Sequence, residues 1–323
     1  MLAENRIACE GSLGNQIVRR RPRDSDGNSG SKIESVTLRD GRNLLVKRVS
    51  PESDWMARET HDEGRLSAMW ASGLLARVPE VIDHTIVAVE RDGNAWNVFM
   101  RDVSDALIPH NARLGRAGVR RILSAARELH EAFWAESLPE LCTLEDRYSL
   151  FSPATGRRER ARGSRHGIVF TAGWDAFFER APADIAQAVA AILERPRLLA
   201  EQLERCEQTL IHGDLRLGNL GFSDGRVVMI DWGERVGIAP PAAERGTLRS
   251  PRPSRRPETS RVGERCDETS LQLSLIGSLA QLGGLLGFWL MQERSDEGRA
   301  VWIDELAWWM TTGERALNVW SPV

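Results

Sequence analysis

The chain has 323 residues, 41% hydrophobic and 28% charged, with a formal net charge of −3. It is long enough for two lobes around a large core and is ordinary for a soluble protein, and its near-balanced charge gives no sign of a nucleic-acid partner. The cysteines Cys9, Cys142, Cys206 and Cys266 lie far apart without a C-x-x-C pair, which argues against a zinc site or a disulfide framework. No apolar run follows a basic start, so a signal peptide is not indicated and a cytoplasmic location is expected. The basic residues are lopsided, with two lysines, Lys32 and Lys47, against 41 arginines, so each lysine carries more information than any one arginine.

Residues 1–31 show no clear period: Ile17–Arg23 is strongly basic, and Asp24–Ser31 is turn chemistry. Lys32–Leu38 then alternates apolar and polar residues as a strand does. Asp40-Gly41 signals a hairpin and Asn43–Val49 is the return strand. Ser29, Gly30 and Ser31 stand at the hairpin entrance, where small residues let backbone N–H groups approach phosphates closely. A helix is expected over Ser53–Ala76, capped by Ser53 or Asp54, with Met56, Leu66, Met69, Trp70 and Leu74 near one face. Val81–Val89 and Ala95–Met100 form a second strand pair, which ends a first domain of residues 1–104.

The second domain, residues 105–323, reads as mainly helical. Arg116–Trp134 is amphipathic, and Trp174–Arg180 and Asp184–Cys206 are further helices. Arg157–Arg165 reads as a solvated, charged loop, and His130 and His166, without metal-like partners, as structural or surface residues. The stretch Thr209–Ile211 is a short apolar strand, after which His212, Gly213 and Asp214 turn the chain. A second apolar run, Val227–Ile230, delivers Asp231. Two strands that each end in an acid can aim both carboxylates and the Asn219 amide at one point. Hard oxygens of that kind suit Mg²⁺, and one carboxylate is left over as a base. That is equipment for moving a phosphoryl group onto a hydroxyl.

The pattern His212-Gly-Asp-x-x-x-x-Asn219, with Ile230-Asp-Trp232 after it, resembles the aminoglycoside phosphotransferase and choline kinase group, small-molecule kinases related to protein kinases. The resemblance covers most of residues 25–245 and, more weakly, 269–311. It implies an α+β, two-lobe protein-kinase-like fold with a small β-rich first lobe and a larger helical second lobe. It also implies ATP and Mg²⁺, with Asp214 as catalytic base, Asn219 and Asp231 on the metal, and Arg216 on phosphate charge. Lys47 is the lysine expected to contact the α- and β-phosphates, and Ser29, Gly30 and Ser31 stand where the group keeps its nucleotide loop. Glu63, 16 residues past Lys47, has the spacing of the family's lysine–glutamate ion pair; Glu59, a helical turn earlier, is its competitor. Met100, Asp102 and Val103 fall on the interlobe hinge that holds adenine. The expected partner is a small-molecule hydroxyl acceptor: an aminoglycoside, an amino sugar, another sugar or an amino alcohol. A nucleotide-binding or scaffolding pseudokinase is the alternative.

Two features follow Trp232. Gly246–Glu268 is rich in Arg, Ser and Pro and nearly empty of large apolar residues, a composition that reads as irregular or disordered and departs from the family pattern. Thr269–Gln292 is free of charge and long enough to span a bilayer. Its leucines at 271, 275, 279, 282, 286 and 290 form one stripe, which favours a core helix over a membrane span.

Overall fold

The computed structural model describes residues 12–23, 29–109, 112, 114–136, 138, 141–244 and 267–320. Three strands come first: β1 (Ile17–Arg23), β2 (Lys32–Leu38) and β3 (Asn43–Val49). Two short helices, α1 (Trp55–Glu59) and α2 (Arg65–Ala71), lead to β4 (Ile82–Asp83), β5 (Ile86–Asp92) and β6 (Ala95–Met100). Five of the strands make an antiparallel sheet in the order β1-β2-β3-β6-β5. The basic run Ile17–Arg23, unassigned from sequence, is its edge strand, and the exposed arginines there keep the open edge charged. Strand alternation divides β3 between two faces. Leu44 and Val46 pack with Val36, Leu38, Phe99 and Leu13 in one core, while Lys47 and Val49 face the cleft.

The single helix expected over Ser53–Ala76 is interrupted. Asp54 caps α1 by accepting the Ala57 N–H at 3.0 Å. His61 and Gly64 then adopt positive φ, and the Asp62 carboxylate accepts the N–H groups of Gly64 and Arg65 at 2.9 and 2.6 Å. An Asp side chain that caps a new helix competes with continuation of the old one. The expected strand Val81–Val89 is also divided. Its first part, β4, leaves the main sheet and pairs in parallel with a strand of the second lobe.

The second lobe begins with α3 (Arg116–Ala132), α4 (Leu144–Ser149), α5 (Pro153–Ala161), α6 (Arg165–Phe178), α7 (Ala183–Glu194) and α8 (Pro196–Leu203). Arg157–Arg165 is therefore mostly helix and not a loop, although its five arginines are exposed as a solvated run would be. Ser152 caps α5, Pro153 opens it, and two of its charged residues meet α1, with Arg58 Nη2 2.7 Å from Glu159 and Arg158 Nε 2.9 Å from Glu59. Pro196, which cannot donate to the preceding turn, separates α7 from α8. The chain continues through β7 (Thr209–Ile211), β8 (Leu220–Ser223), β9 (Arg226–Met229) and β10 (Gly237–Ala239) to α9 (Glu268–Gln292) and α10 (Asp296–Ala316). β10 pairs with β7, and β4, β9 and β8 form a three-stranded sheet.

Helix α9 is the axis of the second lobe. Among the described residues it is the one helix long and apolar enough to cross a membrane, yet 72% of its apolar window is buried inside the protein. Half of the leucine stripe, Leu279, Leu286 and Leu290, is buried in the core while Leu271, Leu275 and Leu282 are half-buried, and glycine lets the helix come close to α6. A Cβ on Gly173 of α6 would lie 1.9 Å from the Gly284 carbonyl, and one on Gly287 would lie 2.1 Å from the Gly173 carbonyl. The expectation of irregular chain over Gly246–Glu268 falls largely outside the described residues; where description resumes, Asp267 caps α9 and Glu268 is already helical.

Candidate active site

The β8–β9 hairpin places two of the acceptor groups. Asp224 and Gly225 have φ of 48° and 77°, the conformation of a tight Asp-Gly hairpin turn. The register set by that turn pairs Leu220 with Met229, and the Ile230 N–H then donates to the Asn219 carbonyl at 3.0 Å. Asn219 and Asp231 thus emerge side by side at the same end of the hairpin. Asp231 itself is left-handed, at φ 64°, a costly conformation for a non-glycine residue and one often found at functional sites.

Strand β7 delivers the other acid. After Ile211, the buried His212 links the two acid-bearing segments: its Nε2–H donates to the Ile230 carbonyl at 3.0 Å, and its Nδ1 accepts the Asp214 N–H at 3.3 Å. Burial pushes its pKa down to about 4, so the ring is neutral, as one donor and one acceptor require. Gly213, at φ 82°, is clamped from both sides. Its N–H donates to Glu244 Oε1 at 2.6 Å, and its carbonyl accepts from Arg147 Nη1 at 3.0 Å. Burial raises the Glu244 carboxyl to about 7, against the pull of Arg147 and the Gly213 N–H.

Asp214 is held through both oxygens. Oδ1 accepts from Arg235 Nη1 at 2.7 Å, and Oδ2 accepts from Asn219 Nδ2 at 2.9 Å and Arg216 Nε at 3.3 Å. The Arg216 guanidinium also reaches to 4.0 Å from Asp231, so it lies between the two acids. From the first lobe, Lys47 Nζ approaches to 3.2 Å from Asp231 and 3.0 Å from Glu234. Burial opposes the charge on Lys47, but Asp231, Glu234 and Asp54 outweigh it and hold the ammonium above its usual range. Lys47 in turn holds Asp231 below the ordinary carboxylate range, although burial works the other way. The cleft between sheet and acids is lined by Lys47, Val49, Ile86, Val98, Met100 and Trp232 among others.

The structure thus brings together Lys47, Asp214, Arg216, Asn219 and Asp231. It does not bring Glu63 to Lys47. Glu63 lies exposed in the break between α1 and α2, where its carbonyl accepts from the Trp96 indole at 3.3 Å. Glu59 is taken by Arg158. The expected lysine–helix glutamate pair is absent because the helix that would present it is interrupted. Ser29, Gly30 and Ser31 are fastened to the start of α1: the Ser29 carbonyl accepts the Trp55 N–H at 2.8 Å, and the Ser31 hydroxyl bonds to Asp54. Gly30, at φ 93°, has no room for a side chain, since a Cβ would lie 2.3 Å from the Ser53 carbonyl. Along the expected hinge, Met100 lines the cleft. The Asp102 carboxylate pairs with Arg23, and the Val103 carbonyl accepts the Ala106 N–H at 2.9 Å. Sequence reasoning missed Arg147, Glu234, Arg235 and Glu244. In a chain with 41 arginines, no composition signal marks two of them.

The donors fit a hard cation. Asp231 contributes a partly exposed carboxylate. The Asn219 amide nitrogen is spent on Asp214, which leaves its amide oxygen as the group able to accept. No cluster of three or more His, Cys, Asp or Glu suited to a metal occurs among the described residues. Asp231 and the Asn219 oxygen could supply the one or two protein oxygens that Mg²⁺ takes before water and phosphate complete its shell.

The sequence model of the phosphotransferase enzyme family (APH) matches residues 22–265. Comparison with curated proteins found no match. Among solved structures, choline kinase LicA from Streptococcus pneumoniae superposes with a TM-score of 0.52 at 13% identity, covering 92% of this chain and 94% of that one. LicA in complex with AMP gives 0.51 at 13% identity, with 94% and 93% covered. A fructosamine-3-kinase described as putative, from Haemophilus somnus, gives 0.49 at 12% identity, with 95% and 94% covered. The two-lobe α+β fold is that of the protein-kinase-like small-molecule kinases.

Proposed function

The chain belongs to the phosphotransferase enzyme family, and from that premise we propose that it transfers the γ-phosphate of ATP to a hydroxyl group of a small molecule. The observation that carries this reading is the meeting of Lys47, from the sheet, with Asp231, while Asp214 stands beside Asn219 and Arg216 on the same floor. Asp214 orients the acceptor hydroxyl and takes its proton. Arg235 and Asn219 fix the direction of its carboxylate. Lys47 binds the nucleotide phosphates, and Arg216, between the acids, offsets charge on the group in transfer. Asp231 and the Asn219 oxygen would hold Mg²⁺, which supplies charge neutralisation to the phosphates. Most of the rate then comes from positioning and electrostatics.

Aminoglycosides, amino sugars, other sugars and amino alcohols form the proposed acceptor class, and a cytoplasmic location goes with ATP as donor. ADP release measured across such a panel tests the proposal. Acceptor-dependent ADP formation that requires Mg²⁺ supports it. ADP formation that ignores every acceptor and persists without Asp214 would overturn it.

A further inference from the structure

We propose that Glu234, and not a glutamate of the helices after β3, positions Lys47, so that the lysine is set from the opposite lobe. The inference rests on the phosphotransferase reading and deepens it. Lys47 Nζ lies 3.0 Å from Glu234 Oε1, and the two side chains are 12% and 8% exposed. Asp231 is the second partner at 3.2 Å, but it is also the metal-ligand candidate, and one carboxylate cannot give its full charge to both. Glu234 has no other cation within ion-pair distance among the described residues. The two glutamates expected from the sequence are otherwise placed, Glu63 in solvent between α1 and α2 and Glu59 on Arg158.

The backbone of Glu234 is built to hold that side chain. Arg65, buried at the start of α2, donates through Nη1 to the Glu234 carbonyl at 2.7 Å. Its Nη2 donates to the Thr60 carbonyl at 2.8 Å, and Asp62 lies beside it at 3.5 Å. A first-lobe arginine therefore grips the turn after Asp231 at the Glu234 carbonyl, and the Glu234 side chain returns to a first-lobe lysine. Arg235, the following residue, holds Asp214. One segment, Asp231–Arg235, thus carries a metal-ligand candidate, the anchor of the lysine and the anchor of the proposed base. In this arrangement Lys47 is in place only while the two lobes are together, and the interrupted helix no longer sets it.

The chain's lysine content makes a direct test possible. Lys47 and exposed Lys32 are the only two lysines, so acylation by a water-soluble succinimidyl acetate, read by mass spectrometry, reports Lys47 against an internal reference. In the folded full chain Lys47 reacts more slowly than Lys32. Glu234→Gln should raise the Lys47/Lys32 ratio about fivefold or more, because a buried charge that loses the nearer of its two carboxylates is held less firmly, while Glu63→Gln and Glu59→Gln leave it unchanged. Glu234→Asp, which keeps the charge but shortens the reach, gives an intermediate ratio and covers the case in which Glu234→Gln does not fold. In kinetics Glu234→Gln should raise the KM for ATP about tenfold with a smaller change in kcat, the mark of lost ground-state binding. An unchanged labelling ratio in both Glu234 variants, or an equal rise in Glu63→Gln, overturns the inference. Absence of any nucleotide turnover in the parent chain would instead overturn the functional reading, and the labelling still decides this one.

Discussion

Asp214 is restrained by Arg235 on one oxygen and by Asn219 and Arg216 on the other, so little reorganisation remains for the step in which it takes a proton. Asp214→Asn keeps the shape and removes the base. Turnover should fall about 10²–10⁴-fold while ATP affinity holds, as steady-state kinetics and calorimetry can check. Gly213 is a different kind of position. Its φ is 82°, and a Cβ would lie 1.9 Å from the Arg235 carbonyl, so Gly213→Ala must move the segment that holds Asp214. A loss of at least about 2 kcal/mol in urea unfolding is expected. What sequence showed at this scale follows from residue rarity and local order. Lys47 stood out as one of two lysines, and Asp214, Asn219 and Asp231 lie in one short, ordered stretch. Arg147, Arg235 and Glu244 meet that stretch only through folding, and their residue types are common in this chain.

Helix α1 is tied to α5 by reciprocal ion pairs that differ in burial. Glu159 is 1% exposed against 19% for its partner Arg58, and Glu59 is 5% exposed against 52% for Arg158. In each pair the carboxylate is the buried member, so removing its arginine strands a buried charge, whereas removing the carboxylate leaves an arginine that water reaches. Arg158→Ala, which strands Glu59, should therefore cost about 2 kcal/mol or more in thermal or chemical unfolding, and Glu59→Gln, which frees the exposed Arg158, should cost less than about 1 kcal/mol. Equal costs for both would contradict this account of the α1–α5 contact. These pairs also show why element-level reading was partial. The apolar period ran through 53–76, but the Asp62 cap and the positive φ of Gly64 divided it into α1 and α2. The charge run 157–165 is solvated through its arginines, but Glu159 within it is buried against Arg58, a partner about a hundred residues earlier in the chain that no local pattern records. Helix α9 was legible as a core helix, but its tightest packing uses glycine against glycine, which a count of leucines does not register.

At the scale of the molecule, acid should unfold the protein early. His130 and His212 are both buried, and burial pushes each down to about 4 from an ordinary value of 6.5. Their neutral forms are favoured only in the folded chain, so their full contribution is present above pH 6.5 and is lost as pH falls towards 4. Each is worth at most roughly 3 kcal/mol. Glu244, raised to about 7, acts in the opposite sense, with its contribution present below 4.5 and lost as pH rises through 7. Urea titrations at pH 7 and 5 should show lower stability at pH 5, and His130→Leu should flatten that difference. The two-lobe architecture was legible from the HGD-to-IDW stretch and the early hairpin, because those motifs tie distant strands to one chemistry. The route by which the lobes join, through Lys47, Arg65 and the turn at Glu234, was not, since no spacing in the chain records it. The account's central claim is that Asp231 and Asn219 complete a metal–nucleotide site facing Lys47. Calorimetric titration with ATP, with and without Mg²⁺, tests it most directly. The account predicts binding strengthened at least about tenfold by Mg²⁺, an enhancement lost in Asp231→Asn; equal affinity with and without Mg²⁺ would contradict it.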